Sequence, residues 1–210
     1  MMKEPKVMDE DNFDKWINFL DPQNFKKNLT SISIYIAFFE TFKDYVVDEV
    51  KSFYNTGFAQ NEDKFCLGYK KNVLVKDKNV LNASLIWLQE MNAICEQDIA
   101  KFHQLRKFRN KLTHEMMGLL FEGVDELPQQ FKDLITLKIK IEKWWIMNVE
   151  IPSNPKFDGR DDIKEDDIGT SSEMLNRLIT DILSDDEKTA NYYKDEFIKF
   201  EQQKKESKNS

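Results

Sequence analysis

One short stretch of the chain combines residue types that can perform acid–base and phosphate chemistry. From Lys101 to Lys111 the sequence holds five basic residues and no acidic one, although the whole chain carries a formal net charge of −7. The hexapeptide RNKLTH occupies positions 109–114 and overlaps the end of this stretch. Arginine binds phosphate oxygens with paired hydrogen bonds, and histidine titrates near neutral pH. Arg109 and His114 are therefore the first candidates for catalysis at a phosphate.

A helical projection of this stretch separates an apolar face from a polar one. At about 100° per residue, the apolar face carries Phe102, Leu105, Leu112, Met116 and Leu119. The opposite face carries His103, Lys107, Asn110 and His114. A polar face of this kind is ordinary if it only meets water. Arg109 instead projects beside the apolar residues. A charge at that position is expected either to act in function or to pair with a buried carboxylate such as Glu40 or Asp44.

Other common chemistries lack their sequence patterns in this chain. It contains no GxGxxG, GxxxxGK[ST], HExxH or GxSxG motif. Cys66 and Cys95 are far apart and have neither a CxxC spacing nor a nearby histidine ligand pattern. With two histidines in the whole chain, a multi-histidine metal centre is not expected. We therefore predict a protein without a metal site and without a cofactor.

The arrangement of Arg109, Asn110 and His114 in a basic helical stretch resembles the motif of the HEPN superfamily. That family is best known for metal-independent endoribonucleases of toxin–antitoxin, abortive-infection and CRISPR-associated defence systems. The resemblance covers the six motif residues and a compatible helical context from about residue 24 to 149. One branch of the family carries a tyrosine two positions after the histidine, which partner nucleotidyltransferases modify. Met116 stands there in this chain, so that mode of regulation is not expected.

The resemblance implies a metal-independent endoribonuclease that cleaves RNA by attack of the 2′-hydroxyl, a toxin or abortive-infection type defence effector. An antitoxin or another defence-system protein is then a candidate partner. The predicted catalytic residues are Arg109, His114 and Asn110. The predicted substrate-binding residues are Lys107, Lys111, Arg106 and His103. The alternative from a different class is a non-catalytic HEPN-like helical module that binds a protein or nucleotide partner at its dimer cleft.

The spacing of the motif predicts that two copies of the chain form the site. In an ideal helix Arg109 and His114 point about 140° apart, so one helix does not easily bring both to one phosphate. Members of the resembled family usually place the motif at a two-fold interface, where each arginine can approach a histidine of the other copy. We therefore expect a homodimer whose interface includes a helix from Asp98 to Gly123.

The elements around the motif are predicted to be helices. Apolar residues at helical spacing predict a short helix from Asn12 to Leu20 and a long core-facing helix from about Asn24 to Tyr54. Further helical regions run from Asn79 toward Asp98 and from Pro128 to about Val149. The stretch 65–75 has no clean helical period and is expected to hold a short hairpin or an ordered loop.

Length and composition place this helical core in a chain of several parts. With 210 residues, 40% hydrophobic and 33% charged, we predict an all-α fold with a bundle of about four principal helices. The bundle is HEPN-like and occupies residues 1–150, followed by an acidic linker at 151–170. A C-terminal helical appendage at 171–203 and a disordered tail at 204–210 complete the chain. No apolar run reaches bilayer length and no signal-peptide block is present, so a cytoplasmic protein is expected.

Overall fold

A computed structural model describes residues 10–54, 67–160 and 162–183, and every regular element within these ranges is helical. The predicted all-α class is therefore confirmed. The α-helices of seven or more residues are α1 (Glu10–Leu20), α2 (Pro22–Phe53), α3 (Val80–Glu90), α4 (Glu96–His114), α5 (Met116–Glu122), α6 (Leu127–Trp145) and α7 (Ser171–Leu183). The chain divides into two compact units, 1–158 and 159–210.

Helix α2 is the longest described element and contributes the largest share of the core. Asp21 caps its first turn, since Oδ1 accepts hydrogen bonds from the backbone N–H groups of Gln23 and Asn24 at 2.8 and 3.0 Å. Pro22 follows at the first helical positions, where its missing N–H costs nothing. The buried residues of α2 are Ile32, Tyr35, Phe38, Phe39, Phe42, Val46 and Val50. The predicted core-facing stripe of aromatic and branched side chains is thus confirmed.

A buried ion pair joins the aromatic core to α6. Lys138 and Glu142 lie four residues apart on α6, are 7% and 4% exposed, and have their Nζ and Oε1 atoms 2.5 Å apart. The ammonium also lies 4.5 Å from the centre of the Tyr45 ring on α2. Burial of a charge is tolerated when a partner compensates it, and here a carboxylate and an aromatic face do so.

The stretch 67–74 is helical rather than a hairpin. Leu67–Tyr69 is a helical turn that leads into a π-helix at Lys70–Leu74. Tyr69 is 8% exposed and Val73 fully buried, because their spacing of four residues places both on the side that packs against the bundle. The expected hairpin is therefore absent from the described part of this stretch, while Phe65 and Cys66 lie outside the described residues.

Helix α4, which carries the motif, is fixed along its length by α2 and α6. The Tyr35 hydroxyl of α2 donates a hydrogen bond of 3.2 Å to the backbone carbonyl of Leu105. Lys101 of α4 pairs with Asp133 of α6 at 2.9 Å, and Asp98 pairs with Lys140 at 2.5 Å. As numbering rises in α4 it falls in α6, so the two helices are antiparallel.

The prediction of one continuous helix from Asp98 to Gly123 is wrong, because the helix is interrupted at Glu115. This residue adopts φ −118° and ψ 17°, so α4 ends at His114 and α5 begins at Met116. The change in direction lets Phe121 pack against Trp16 of α1, with ring centres 4.9 Å apart. The helix that follows the break therefore carries an aromatic contact with α1.

The second unit has one well-defined described helix, α7, which begins at Ser171 as predicted for the appendage. Thr170 and Glu173 form a reciprocal cap at its start. The Thr170 N–H donates to Glu173 Oε2 at 3.0 Å, and the Glu173 N–H donates to Thr170 Oγ1 at 3.1 Å. The later part of the predicted appendage, from 184 to 203, and the predicted tail at 204–210 lie outside the described residues.

The predicted acidic linker at 151–170 spans the point where the two units meet in sequence. Its first residues, up to Asp158, belong to the first unit, and the remainder belongs to the second. A π-helix at Ile146–Glu150 and a helical turn at Ile151–Ser153 extend α6 into the start of the linker. Short 3-10 helices follow at Pro155–Phe157 and Glu165–Asp167. Among the described helices, none has both the length and the apolar character that spanning a membrane requires.

Candidate functional site

The motif residues occupy the last two turns of α4. The buried residues of α4, which orient these turns against the core, are Phe102, Leu105, Phe108 and Leu112. Arg109 lies at the edge of this apolar face, Asn110 is exposed, and His114 is exposed as the last residue of the helix. The helical projection therefore predicted the two faces of α4 correctly.

Arg109 is engaged by two side chains. Its Nη2 atom lies 2.5 Å from Oε1 of Glu40 on α2, and the Arg109 side chain is 26% exposed. Its Nη1 donates a hydrogen bond of 3.2 Å to Oδ1 of Asn110. Its Nε is buried and makes no hydrogen bond with any described residue. The charge on the apolar side of α4 is therefore paired, and of the two carboxylates that the sequence offered, Glu40 is the partner.

Glu40 bridges two cations at the boundary between α2 and α4. Lys43, one turn further along α2, forms an ion pair with Oε2 of Glu40, while Arg109 approaches Oε1. Burial acts to raise the pKa of Glu40, but the hydrogen bonds and positive charges of Lys43 and Arg109 outweigh it, and the pKa lies below its ordinary value. The carboxylate is thus ionised throughout the physiological pH range and fixes the guanidinium.

We predict that the Glu40 ion pair stabilises the fold near neutral pH and that this contribution disappears in acid. A carboxyl group whose pKa is lower in the folded state contributes stability above its unfolded pKa of about 4.3 and loses it as the pH falls through the folded value. Because both side chains are partly exposed, solvent screening keeps the contribution below about 1 kcal/mol. Melting curves of wild type and Glu40→Gln should differ near neutrality and converge in acid.

Asp44 supplies the matched control for this measurement. It lies one turn beyond Glu40 on α2 and is exposed, and no described ion pair joins it to Arg109. The difference in melting temperature between Asp44→Asn and wild type should vary much less with pH. An equal pH dependence in the two variants would contradict the assignment of Glu40 as the partner of Arg109.

His103 is the more buried of the two histidines. Its Nδ1 is buried and makes no hydrogen bond with a described residue, and its ring lies 5.8 Å from that of Phe102. Burial first, and then the positive charges of Arg106 and Lys107, lower the pKa of His103. A neutral, partly covered imidazole is a weak binder of phosphate, so His103 is the least favourable of the four predicted substrate-binding residues.

The three predicted substrate-binding cations do not form one surface. Lys107 and Lys111 are exposed and line a groove between α4 and the start of α6. Arg106 lines a different depression of about 560 Å³, together with residues of α2 such as Lys43 and Asp44. The separation follows from the helix, because Arg106 and Lys107 point about 100° apart.

The structure brings Arg109 and Asn110 together but places His114 on another side of α4. Five residues of helix separate Arg109 from His114, which corresponds to a rise of about 7.5 Å and a rotation of about 140°. A guanidinium held at the α2 boundary and an imidazole at the exposed helix end do not converge on one phosphate within one copy. The expectation that a complete site needs a second copy stays a prediction.

Within the described residues, no group of three or more His, Cys, Asp or Glu side chains is arranged to hold a metal ion. The expectation that the protein has no metal site and no cofactor stays a prediction from the sequence. Comparison of the chain with protein-family models, with curated proteins and with solved structures gave no match. The case for function consequently depends on the geometry of α4 and its neighbours.

Proposed function

We propose that the protein is a metal-independent endoribonuclease and that Arg109 and His114 carry its chemistry. The observation that supports this best is the position and the contacts of these two residues on α4. Glu40 and Asn110 hold the guanidinium of Arg109 in one place, with part of it still accessible, while His114 is exposed at the helix end. Preorganised cations stabilise developing charge most effectively when they need no rearrangement.

The reaction uses the nucleophile that RNA itself carries. The 2′-hydroxyl attacks the adjacent phosphorus, the bond from O2′ to phosphorus forms, and the bond from phosphorus to O5′ breaks. One imidazole removes the proton of the 2′-hydroxyl, and a second group returns a proton to the departing O5′. Arg109 stabilises the additional negative charge on the phosphate oxygens. The products are a 2′,3′-cyclic phosphate and a 5′-hydroxyl.

A two-fold dimer would hold two such sites, each with Arg109 from one copy and His114 from the other. Lys107 and Lys111 lie on the same face of α4 as His114, and neither makes an ion pair with a described residue. They are available to bind neighbouring phosphates, which compensates locally for the acidic chain. Together with the HEPN resemblance, this arrangement supports the proposal of a toxin or defence effector, for which a partner protein would be the regulator.

The direct test is cleavage of single-stranded RNA by purified protein in excess EDTA. We expect the RNA to be cut and the 5′ fragments to end in a 2′,3′-cyclic phosphate, because the motif supplies both proton transfer and charge stabilisation. Mass spectrometry of the fragments identifies this end group. Activity that is lost with the chelator and restored by magnesium would contradict the mechanism.

A second candidate is a non-catalytic helical module that binds a protein or nucleotide. The observation that favours it is the Glu40 ion pair, since a guanidinium already compensated by a carboxylate is a common structural arrangement. Absence of RNA cleavage under every condition, together with a loss of stability in Arg109→Ala, would favour this module. RNA cleavage in EDTA that depends on His114 would exclude it.

A further inference from the structure

A groove lies beside the motif on the face of α4 that carries His114. It has a volume of about 260 Å³. Its lining residues are Gln104, Lys107, Phe108 and Lys111 of α4 with Glu126 and Gln130 at the start of α6. Seven residues, close to two helical turns, separate Lys107 from His114. The exposed histidine therefore lies beyond the end of the groove on the same side of the helix.

The walls of the groove are held in place by the fold. The Gln130 N–H donates a backbone hydrogen bond of 3.0 Å to the Glu126 carbonyl, so these residues lie one turn apart on the same face. Phe108, only 7% exposed, forms an apolar floor. The ion pairs of Asp98 and Lys101 with α6 fix the distance between the two helices. The groove is thus formed before any ligand binds.

One residue that lines the groove, Gln130, carries a hydrogen-bond acceptor without a partner among the described residues. Oε1 of Gln130 is buried and accepts no hydrogen bond from any described residue. Leaving a buried acceptor unsatisfied is unfavourable, and a rotation of the Gln130 side chain that presents Oε1 to a donor on a ligand would remove that cost. The carboxylate of Glu126 is a second acceptor in the same wall, and Lys107 and Lys111 supply donors and positive charge at the rim.

These groups match the hydrogen-bonding edges of one base better than those of the others. Guanine presents two adjacent donors, N1–H and N2–H₂, and two acceptors, O6 and N7. Adenine and cytosine each present one exocyclic amino group, and uracil presents only its ring N–H. The volume also suits a single base, since pockets for drug-sized ligands measure roughly 300 to 1,000 Å³.

We propose that this groove binds a guanine base of the RNA, so that the protein cleaves RNA next to guanine. Gln130 and Glu126 accept hydrogen bonds from the donor edge of the base, and the two lysines bind its acceptor edge or an adjoining phosphate. This inference rests on the proposed function, because it names the base that the ribonuclease site selects.

Binding is tested apart from cleavage with fluorescent 2′-O-methyl oligouridines that carry one central guanine, hypoxanthine, adenine, cytosine or uracil. The 2′-O-methyl group removes the nucleophile, so the probes stay intact. At one fixed salt concentration, anisotropy should show the guanine probe binding about tenfold more tightly than the uracil probe. The hypoxanthine probe, which lacks the N2 amino group, should bind with intermediate affinity.

Variants of neighbouring glutamines assign the preference to the groove. Gln130→Leu removes the buried acceptor and should reduce the guanine preference from about tenfold to about twofold, while Gln130→Glu keeps an acceptor and should retain it. Gln129→Leu is the matched control, because Gln129 bonds Asp133 at 2.7 Å and does not line the groove. If Gln130→Leu does not fold, Glu126→Leu removes the other acceptor and tests its role.

The outcomes separate this inference from the proposed function. Equal affinity for all five probes, or a guanine preference that survives both Gln130→Leu and Glu126→Leu, overturns the guanine site. RNA cleavage in EDTA without base preference leaves the ribonuclease proposal intact and removes the guanine site. A guanine preference that depends on Gln130, in a protein that does not cleave RNA, supports the site and removes the ribonuclease.

Discussion

Substitution of His114 by alanine should lower the rate of RNA cleavage at least about a hundredfold, because the imidazole is the proton-transfer group of the proposed reaction. The same change should leave the melting temperature within about 2 °C of wild type. His114 is the exposed last residue of α4, and its ring makes no hydrogen bond with a described residue. Its removal therefore opens no cavity and breaks no described contact.

Cleavage of a labelled RNA in EDTA and a thermal melt of the same preparation form the two measurements. His103→Ala is the matched control, since it removes the other histidine of the same helix. Because His103 is partly covered and packs beside Phe102, this variant should lose more stability and less activity than His114→Ala. Activity unchanged in His114→Ala, or lost only in proportion to unfolding, would contradict a catalytic role.

Periodicity was sufficient to predict the helices that pack on one continuous face. The long α2 follows from apolar residues repeated every three or four positions, and Asp21 with Pro22 marks its start. The break at Glu115 was not predictable in the same way, because Met116 and Leu119 continue the helical period of α4. After the break, Phe121 packs against Trp16, and that contact joins residues distant in sequence, which the local period does not reveal.

The stretch 67–74 was mispredicted for a related reason. Lys70 and Lys71 interrupt the apolar pattern, so the local sequence favours neither helix nor strand clearly. Burial of Tyr69 and Val73 against the bundle decides in favour of helix. Tertiary packing commonly overrides weak local preference in such short segments.

The candidate site was predictable in its residues but not in its contacts. The sequence predicted that Arg109 pairs with a carboxylate. Glu40 and Asp44 were both candidates because they lie one turn apart, on the same face of α2. Sequence alone could not choose between them, whereas the register of α2 against α4 places Glu40 at the guanidinium. Gln130 and Glu126 were missed, since polar residues at the start of an amphipathic helix are ordinary. Their spacing of four residues was the only signal.

The groove and the arginine lie on different sides of α4, and this has a consequence for assembly. An RNA base bound between α4 and α6 brings its phosphate toward the His114 end of the helix. Arg109 of the same copy remains at the α2 boundary, about 140° away around α4. In the proposed dimer, Arg109 of the second copy is the cation that meets the phosphate. We therefore expect only the last two turns of α4 to contribute to the homodimer interface. The first turns of α4 are excluded because Asp98 and Lys101 form ion pairs with residues of α6.

Mixing two inactive variants should therefore restore activity. Arg109→Ala and His114→Ala protomers are each expected to be at least about a hundredfold less active than wild type. After unfolding and refolding together, half of the dimers are mixed, and each mixed dimer contains one composite site with an intact arginine and an intact histidine. The mixture should regain about a quarter of wild-type activity, because one of two sites works in one of two dimers.

A matched control shows whether the recovered RNA cleavage comes from composite sites or from refolding alone. The Arg109→Ala/His114→Ala double variant refolded with His114→Ala contains no intact histidine and should stay inactive. Light scattering of each preparation checks that dimers have formed. Recovery in the first mixture and none in the second requires that the arginine and histidine of one site come from different copies. A first mixture that stays inactive, although scattering shows dimers, would place the whole site within one copy and contradict the two-copy arrangement.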